Sequence, residues 1–295
     1  MYTVNDLEGT RIDSYLVNVL ELSRSKIQKL IKEGKVVVNG KKVSSSYTVK
    51  LGDIIDVNYD ISYEEDIVPE NIELDIIYED DDLLLVNKKS GMVVHPAAGH
   101  FYGTLVNALL YRYPFIGKDK IRPGIVHRLD KDTSGVMIVA KNEWAQERLS
   151  EMISKKEVER KYLAIVSGVI KNDSGTIDAP IGRDLNNRQK MAVTDVNSKN
   201  AVTHFRVLER FQNHTLIECK LDTGRTHQIR VHMAYIGYPI LNDPLYGKGK
   251  STEFGQMLHS YSIKFNHPRS GKELFYTVDP PEEFQSMIDS LKKFS

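Results

Sequence analysis

Apolar positions recur at helical spacing in few stretches of this chain and alternate, or run in short blocks, in many more. Between Ser23 and Glu33, Ile27, Leu30 and Ile31 fall on one face of a predicted helix that Ser23 caps and Gly34 ends. KVVVNGKKV then reads as a hairpin, because both residues of Asn39-Gly40 tolerate positive φ, and LGDIIDVNY reads as a closing strand. Farther on, LDIIYEDDDLLLVNK predicts two strands about an acidic turn, and IVHRLDKDTSGVMIVAK predicts strand, polar loop and strand. Asn142 caps a helix to Lys155 whose apolar positions are Trp144, Leu149, Met152 and Ile153. KYLAIVSG, AVTHFRVLER, HTLIECKL and YSIKFNH predict further strands, and THQIRVHMAYIG a helix from Thr226 to Gly237. Many antiparallel-type strands with few helices predict an α+β architecture, without internal repeats.

Composition sharpens this picture in two places. A chain of 295 residues that is 41% hydrophobic and 27% charged is long enough for two domains and too apolar for a disordered segment. The single cysteine, Cys219, cannot form an internal disulfide, and MYTVNDLEGTR has neither the basic nor the apolar region of a secretory signal, so a cytoplasmic protein is expected. No apolar run approaches the roughly 20 residues a spanning helix needs, so no membrane partner is expected. Charge alters the expectation more than composition does. The 40 basic and 40 acidic side chains cancel, yet residues 11–50 hold nine Lys/Arg against three Asp/Glu, and residues 60–82 hold eleven acids and no base. A basic helix and hairpin inside about 50 residues is a module suited to a phosphate backbone, so the neutral total does not exclude RNA.

The polar residues most able to carry chemistry form two clusters. HRLDKDTSG lodges between apolar runs, which makes it a rigidly mounted loop; the alternative is a turn whose Asp130 and Asp132 bond local amides. In LDTGRTHQIRVH, Gly224 precedes the predicted helix, so Arg225 sits at a strand-to-helix junction. His227 and His232 are five residues apart, about 140° around a helix at roughly 100° per residue, and cannot chelate from one face. Neither HExxH nor CxxC occurs, nor GxGxxG, GxxxxGK[ST] or GxSxG, so no metal, no nucleotide cofactor and no serine-hydrolase elbow is expected.

Two resemblances bear on what remains. Residues 11–57, centred on SRSKIQKLIKEGKVVVNGKKV, resemble the RNA-binding domain named after small-subunit ribosomal protein S-four. HPAAGH, HRLDKDTSG, KYLAIVSG and GRTHQIR, in that order over residues 70–290, resemble the RluA-type RNA pseudouridine synthases, and with the amino-terminal module the large-subunit ribosomal RNA synthase D-like subtype. Two departures are visible: Lys89 in VNKKSG stands where that family usually has proline, and Ala97 in HPAAGH where glycine is common. The resemblance implies residues 1–60 as RNA-binding domain, 61–72 as acidic linker and 73–295 as a catalytic domain. It implies the pseudouridine-synthase fold, a central, mainly antiparallel mixed sheet flanked by helices, beside a small α/β-hairpin domain.

The same resemblance implies an isomerase acting without cofactor on uridines of ribosomal RNA, free or within a pre-ribosomal particle, and working as a monomer. Isomerising uridine breaks the base nitrogen–sugar bond, turns the base and joins the sugar to base carbon 5, with no change of oxidation state. A carboxylate and a base suffice for that chemistry. Asp130 is implied as the essential carboxylate, Arg225 as its partner and the cation that keeps it ionised, and Tyr162 as the stacking face and a candidate for removing the carbon-5 proton. Arg128 is implied to fill the gap left by a flipped nucleotide. Arg24, Lys26, Lys29, Lys32, Lys41 and Lys42 are the expected RNA contacts of the amino-terminal module. A noncatalytic RNA-binding or ribosome-assembly factor on the same fold is the alternative, which Asp130, Tyr162 and Arg225 together disfavour.

Overall fold

A computed structural model describes the chain except residues 1, 5–8, 21–23, 59–66, 97–99, 114–121, 188, 248, 250, 294 and 295. The expected cap at Ser23, the acidic linker up to residue 66 and the variant Ala97 lie outside the described residues, as does the side chain of Lys26. The chain falls into two compact units, Met1–Asp66 and Ile67–Ser295.

The smaller unit contains β1 (Tyr2–Thr3), α1 (Ile12–Leu20), α2 (Arg24–Lys32), β2 (Val36–Val38), β3 (Lys41–Lys42) and β4 (Ile54–Val57). Its sheet has the order β1-β4-β2-β3, all antiparallel. The 3.6-residue spacing of α2 puts Ile27, Leu30 and Ile31 in a core with Ile12, Leu16, Val36, Val38 and Ile55. At the hairpin tip Asn39 and Gly40 have φ of 51° and 74°, the left-handed pair a two-residue turn demands. The Asn39 side chain also accepts from the Ile54 amide at 2.9 Å, which ties the tip to β4.

In the larger unit come β5 (Asp75–Glu79), β6 (Leu83–Lys88), α3 (Leu105–Arg112), β7 (Ser134–Ala140), α4 (Glu143–Ser154), β8 (Glu159–Ser167) and β9 (Ser174–Asp178). They are followed by β10 (Ile181–Arg183), β11 (Met191–Val193), β12 (Val202–Arg210), β13 (His214–Leu221), α5 (Gln228–Tyr235), β14 (Leu258–Asn266), β15 (Glu273–Thr277) and α6 (Glu282–Lys293). A nine-stranded sheet runs β5-β6-β7-β14-β8-β13-β12-β9, with β15 added on β14. Among its described pairs only β7 with β14 is parallel, so the sheet is mixed and mainly antiparallel. LLLV and VMIVA are buried on both sides. Leu84, Val86, Met137 and Val139 join Leu105, Leu109, Met233 and Phe284 on one face, while Leu83, Leu85, Val136 and Ile138 meet Ala145 and Leu149 of α4 on the other. Asn142 caps α4 by accepting from the Ala145 amide at 2.9 Å.

Two expected elements differ. Ile125-Val126 is not a strand, since only Ile125 makes an isolated bridge, to Val139. The next acceptor facing β7 is a side chain, His127 Nε2, which takes the Ile138 amide at 2.9 Å where a strand carbonyl would. The helix expected from Thr226 begins two residues later, because His227 adopts a left-handed φ of 57° and reverses the chain just before α5.

Candidate active site

The HRLD loop reaches the middle of the sheet through a close backbone crossing. Ser260 of β14 pairs with Gly135 on one side and with Tyr162 of β8 on the other, so the residues just before β7 open beside Tyr162. Gly135 permits this: its φ is 112°, and a Cβ there would lie 2.1 Å from the Ser260 carbonyl oxygen. Asp130, Tyr162, Arg128, Arg160, Arg225, His227 and Arg230 line one cavity of about 480 Å³, within the range of ligand pockets.

Asp130 is 15% exposed and accepts from Arg230 Nη1 at 2.9 Å. Its other oxygen accepts no hydrogen bond from a described residue, and His227 Nε2 stands 3.9 Å from it. Arg230 is 4% exposed and fixed on three sides. It donates from Nε and Nη2 to Asp243 at 2.7 and 2.9 Å, donates to Asp130, and lies over the Tyr246 ring at 5.1 Å. Burial opposes its charge, and the bonds and charges of Asp243 and Asp130 outweigh burial, so its pKa lies above the usual guanidinium value. Asp243, whose burial favours the neutral acid, is held below the usual carboxylate range by Arg230 and by the Leu245 and Tyr246 amides.

The partner of Asp130 is therefore Arg230, and the pairing expected for Arg225 does not form. Arg225 precedes the left-handed turn at His227, and its Nε donates to the Asn200 carbonyl at 3.0 Å. Arg230 follows the turn, in the first turn of α5. Tyr162 is buried, and burial raises its pKa against the opposing charge of Arg160 and the Ser260 hydroxyl. The phenol thus keeps its proton at neutral pH, which suits a stacking face better than a resident base. Arg128 is exposed at the cavity lining and makes no hydrogen bond or ion pair with a described residue.

Lys88, which sequence reasoning passed over in VNKKSG, holds the loop from below. It is buried, and its ammonium donates to the carbonyls of Lys89, Met92 and Lys131 at 2.9, 2.8 and 2.8 Å. Burial pulls its pKa down to about 7 against the charges of Asp130 and Asp132. Ser90 Oγ lies 3.1 Å from the Asp132 carbonyl, fastening the same two loops. Lys89 itself is exposed, so it replaces proline without entering the site. The only available signal was a lysine closing a run of buried strand residues. His232 is spent inside the core, its Nδ1 at 2.9 Å from Thr203 Oγ1 and Nε2 at 2.9 Å from the Ala179 carbonyl.

In the smaller unit Lys29, Lys32, Lys41 and Lys42 are exposed. Arg24 is engaged: its Nε donates to Asp13 at 3.1 Å, leaving the side chain 53% exposed.

Known proteins match both units. Residues 82–235 match the family model described as RNA pseudouridylate synthase, and residues 10–55 that of the S4 domain. An uncharacterized RNA pseudouridine synthase of Bacillus subtilis, YlyB, is 50% identical over 97% of this chain and 95% of its own length. A ribosomal large subunit pseudouridine synthase D of Xanthomonas campestris is 42% identical over 97% of this chain and 90% of its own. Among solved structures, human RNA pseudouridylate synthase domain containing 1 superposes with a TM-score of 0.58 at 25% identity, over 76% of this chain and 96% of that one.

Proposed function

Because the chain belongs to the RNA pseudouridine synthase family, we propose that it isomerises uridines of large-subunit ribosomal RNA and that Asp130 is the carboxylate on which the reaction turns. The substrate follows from relatives such as the Xanthomonas ribosomal large subunit pseudouridine synthase D, and such a substrate places the enzyme in the cytoplasm. The supporting observation is the chain Asp243, Arg230, Asp130: a buried guanidinium, locked by one acid, presents the other at a cavity floored by Tyr162.

A uridine that is stacked in RNA must leave the stack to reach that carboxylate. Tyr162 offers the flipped base an aromatic face, and Arg128 a planar cation at the opening, able to stack in the vacated gap. Arg230 fixes one oxygen of Asp130 and leaves the other for the electron-poor centre, whether sugar carbon or ring carbon. Arg225, turned toward Asn200, serves the lining of the cavity and not the carboxylate. Lys29, Lys32, Lys41 and Lys42 give the smaller unit its phosphate contacts. Mapping pseudouridines in ribosomal RNA from cells lacking the protein, then restoring wild-type or Asp130→Asn protein, tests the reading. Sites that vanish, return with wild type and stay absent with the variant support it; an unchanged map refutes it.

A further inference from the structure

Three Lys or Arg side chains are buried among the described residues: Lys88, Arg160 and Arg230. Lys88 is matched by three carbonyls and Arg230 by two carboxylates. Arg160, only 5% exposed, makes no hydrogen bond or ion pair with any described residue, and its Nε is enclosed without a partner. A buried cation without an anion is strongly unfavourable, so a fold that keeps one has a use for it.

A second donor without a partner lies in the same lining. His127 Nε2 accepts the Ile138 amide, so the ring proton is on Nδ1, and that Nδ1 is enclosed and unbonded. Burial, aided by the charge of Arg160, lowers the pKa of His127 to about 3, so the ring is a neutral donor at any working pH. Both side chains belong to the cavity lining, and neither of these two nitrogens has an acceptor among the described residues. The acceptor that offsets a buried guanidinium is an anionic oxygen.

The position of Arg160 says which oxygen that is. It precedes Tyr162 by two residues on β8, so both side chains leave the same face, about 7 Å apart along the strand. A base on Tyr162 brings a phosphate of its own backbone within that reach. Gly224 keeps the approach open, because a Cβ there would stand 3.3 Å from Arg160 Nη1. Lys156, 3.7 Å from Asp222, belongs to the same lining. We propose that Arg160 and His127 bind a backbone phosphate adjoining the uridine seated on Tyr162, an inference that rests on the pseudouridine synthase reading of this cavity.

The test uses the full-length protein and a short RNA spanning a uridine that the wild type converts. A single methylphosphonate is placed 5′ or 3′ of that uridine, with a 2′-deoxy phosphodiester control at each position. Arg160→Gln is expected to weaken binding about 10-fold or more, as for a lost charged hydrogen bond, and to lower the salt slope by about 0.7. Arg160→Lys should recover part of the affinity. One of the two methylphosphonates should weaken wild-type binding by a similar factor and add nothing in Arg160→Gln. Unchanged binding by Arg160→Gln, or additive effects of variant and methylphosphonate, overturns the proposal. Loss of turnover with unchanged affinity would assign Arg160 to a uracil oxygen and also overturns it. Should Arg160→Gln not fold, the wild type still decides, since two methylphosphonates without effect on its binding are equally fatal. Wild-type protein that forms no pseudouridine in any ribosomal RNA would defeat the function itself, whereas product formed by a wild type whose RNA binding is indifferent to Arg160 and to both methylphosphonates defeats only this assignment.

Discussion

Both units bury a carboxylate against arginine, and they do so to different ends. In the smaller unit Asp13, fully enclosed, accepts from Arg11, Arg24 and Gln28 at 2.8 to 3.1 Å, so both its oxygens are bonded and α1 is tied to α2. In the larger unit the ratio is reversed: one arginine, Arg230, serves Asp243 with two bonds and Asp130 with one. Asp13 is exhausted by its own chain, whereas Asp130 keeps one oxygen free at a cavity. A buried charge satisfied completely contributes to structure; one satisfied in part is held ready for something else.

The sharpest way to break this contrast is to remove each charge while keeping its shape. Asp130→Asn should leave melting and RNA affinity near wild type while single-turnover isomerisation falls by about 10³-fold or more. Appreciable product would end the claim that Asp130 is used for chemistry. Arg230→Met should cost about 3–5 kcal/mol, because it strands two carboxylates in a dry site, and should abolish turnover. Arg225→Met, which loses one bond to a carbonyl at the protein surface, should cost less than about 1 kcal/mol. Equal effects of the two arginine substitutions, by denaturant titration and initial rates, would contradict the observed pairing.

Asp13→Asn should act on stability alone, loosening amide hydrogen exchange in α1 and α2 by about 1–3 kcal/mol with turnover at saturating RNA intact. Its acid behaviour has a companion in the larger unit. Burial favours the neutral form of Asp13, and the bonds from Arg11, Gln28 and Arg24 outweigh it, so its pKa is lowered; Asp82 is lowered to about 2, chiefly by the bidentate Arg269. For a lowered carboxylate the unfolded chain binds protons first, so each stabilises its unit fully above the ordinary value of 3.8 and loses that contribution as pH falls toward the folded value. Melting temperature against pH should therefore drop below about 4 in wild type, and less steeply in Asp82→Asn.

The smallest expected effect concerns the surface. Replacing Lys29 and Lys32 by glutamine should leave stability and turnover unchanged and reduce the salt slope of RNA binding by about 1.4 to 1.8. A slope that does not move would remove those lysines from the RNA contacts.

What was legible from the sequence alone is what short-range physics decides. The α2 stripe, the Asn39-Gly40 turn, the Asn142 cap and the strands through LLLV, KYLAIVSG and HTLIECKL each depend on neighbours within a few residues, and each stands where its pattern placed it. Local composition also picked out HRLDKDTSG and GRTHQIR as the polar segments of the site. Which arginine of GRTHQIR meets Asp130 was not legible, because the answer turns on one left-handed residue, His227, that rotates Arg225 away and Arg230 inward. Lys88 and Arg160 were hidden for a related reason. A lysine ending a strand and an arginine two residues before a tyrosine look like solvent-facing charges until the sheet order sets β6 beside β7, and β8 beside β14. Burial and partnership belong to pairs of residues far apart in the chain, so only the assembled sheet could assign one cation three carbonyls and leave another with none.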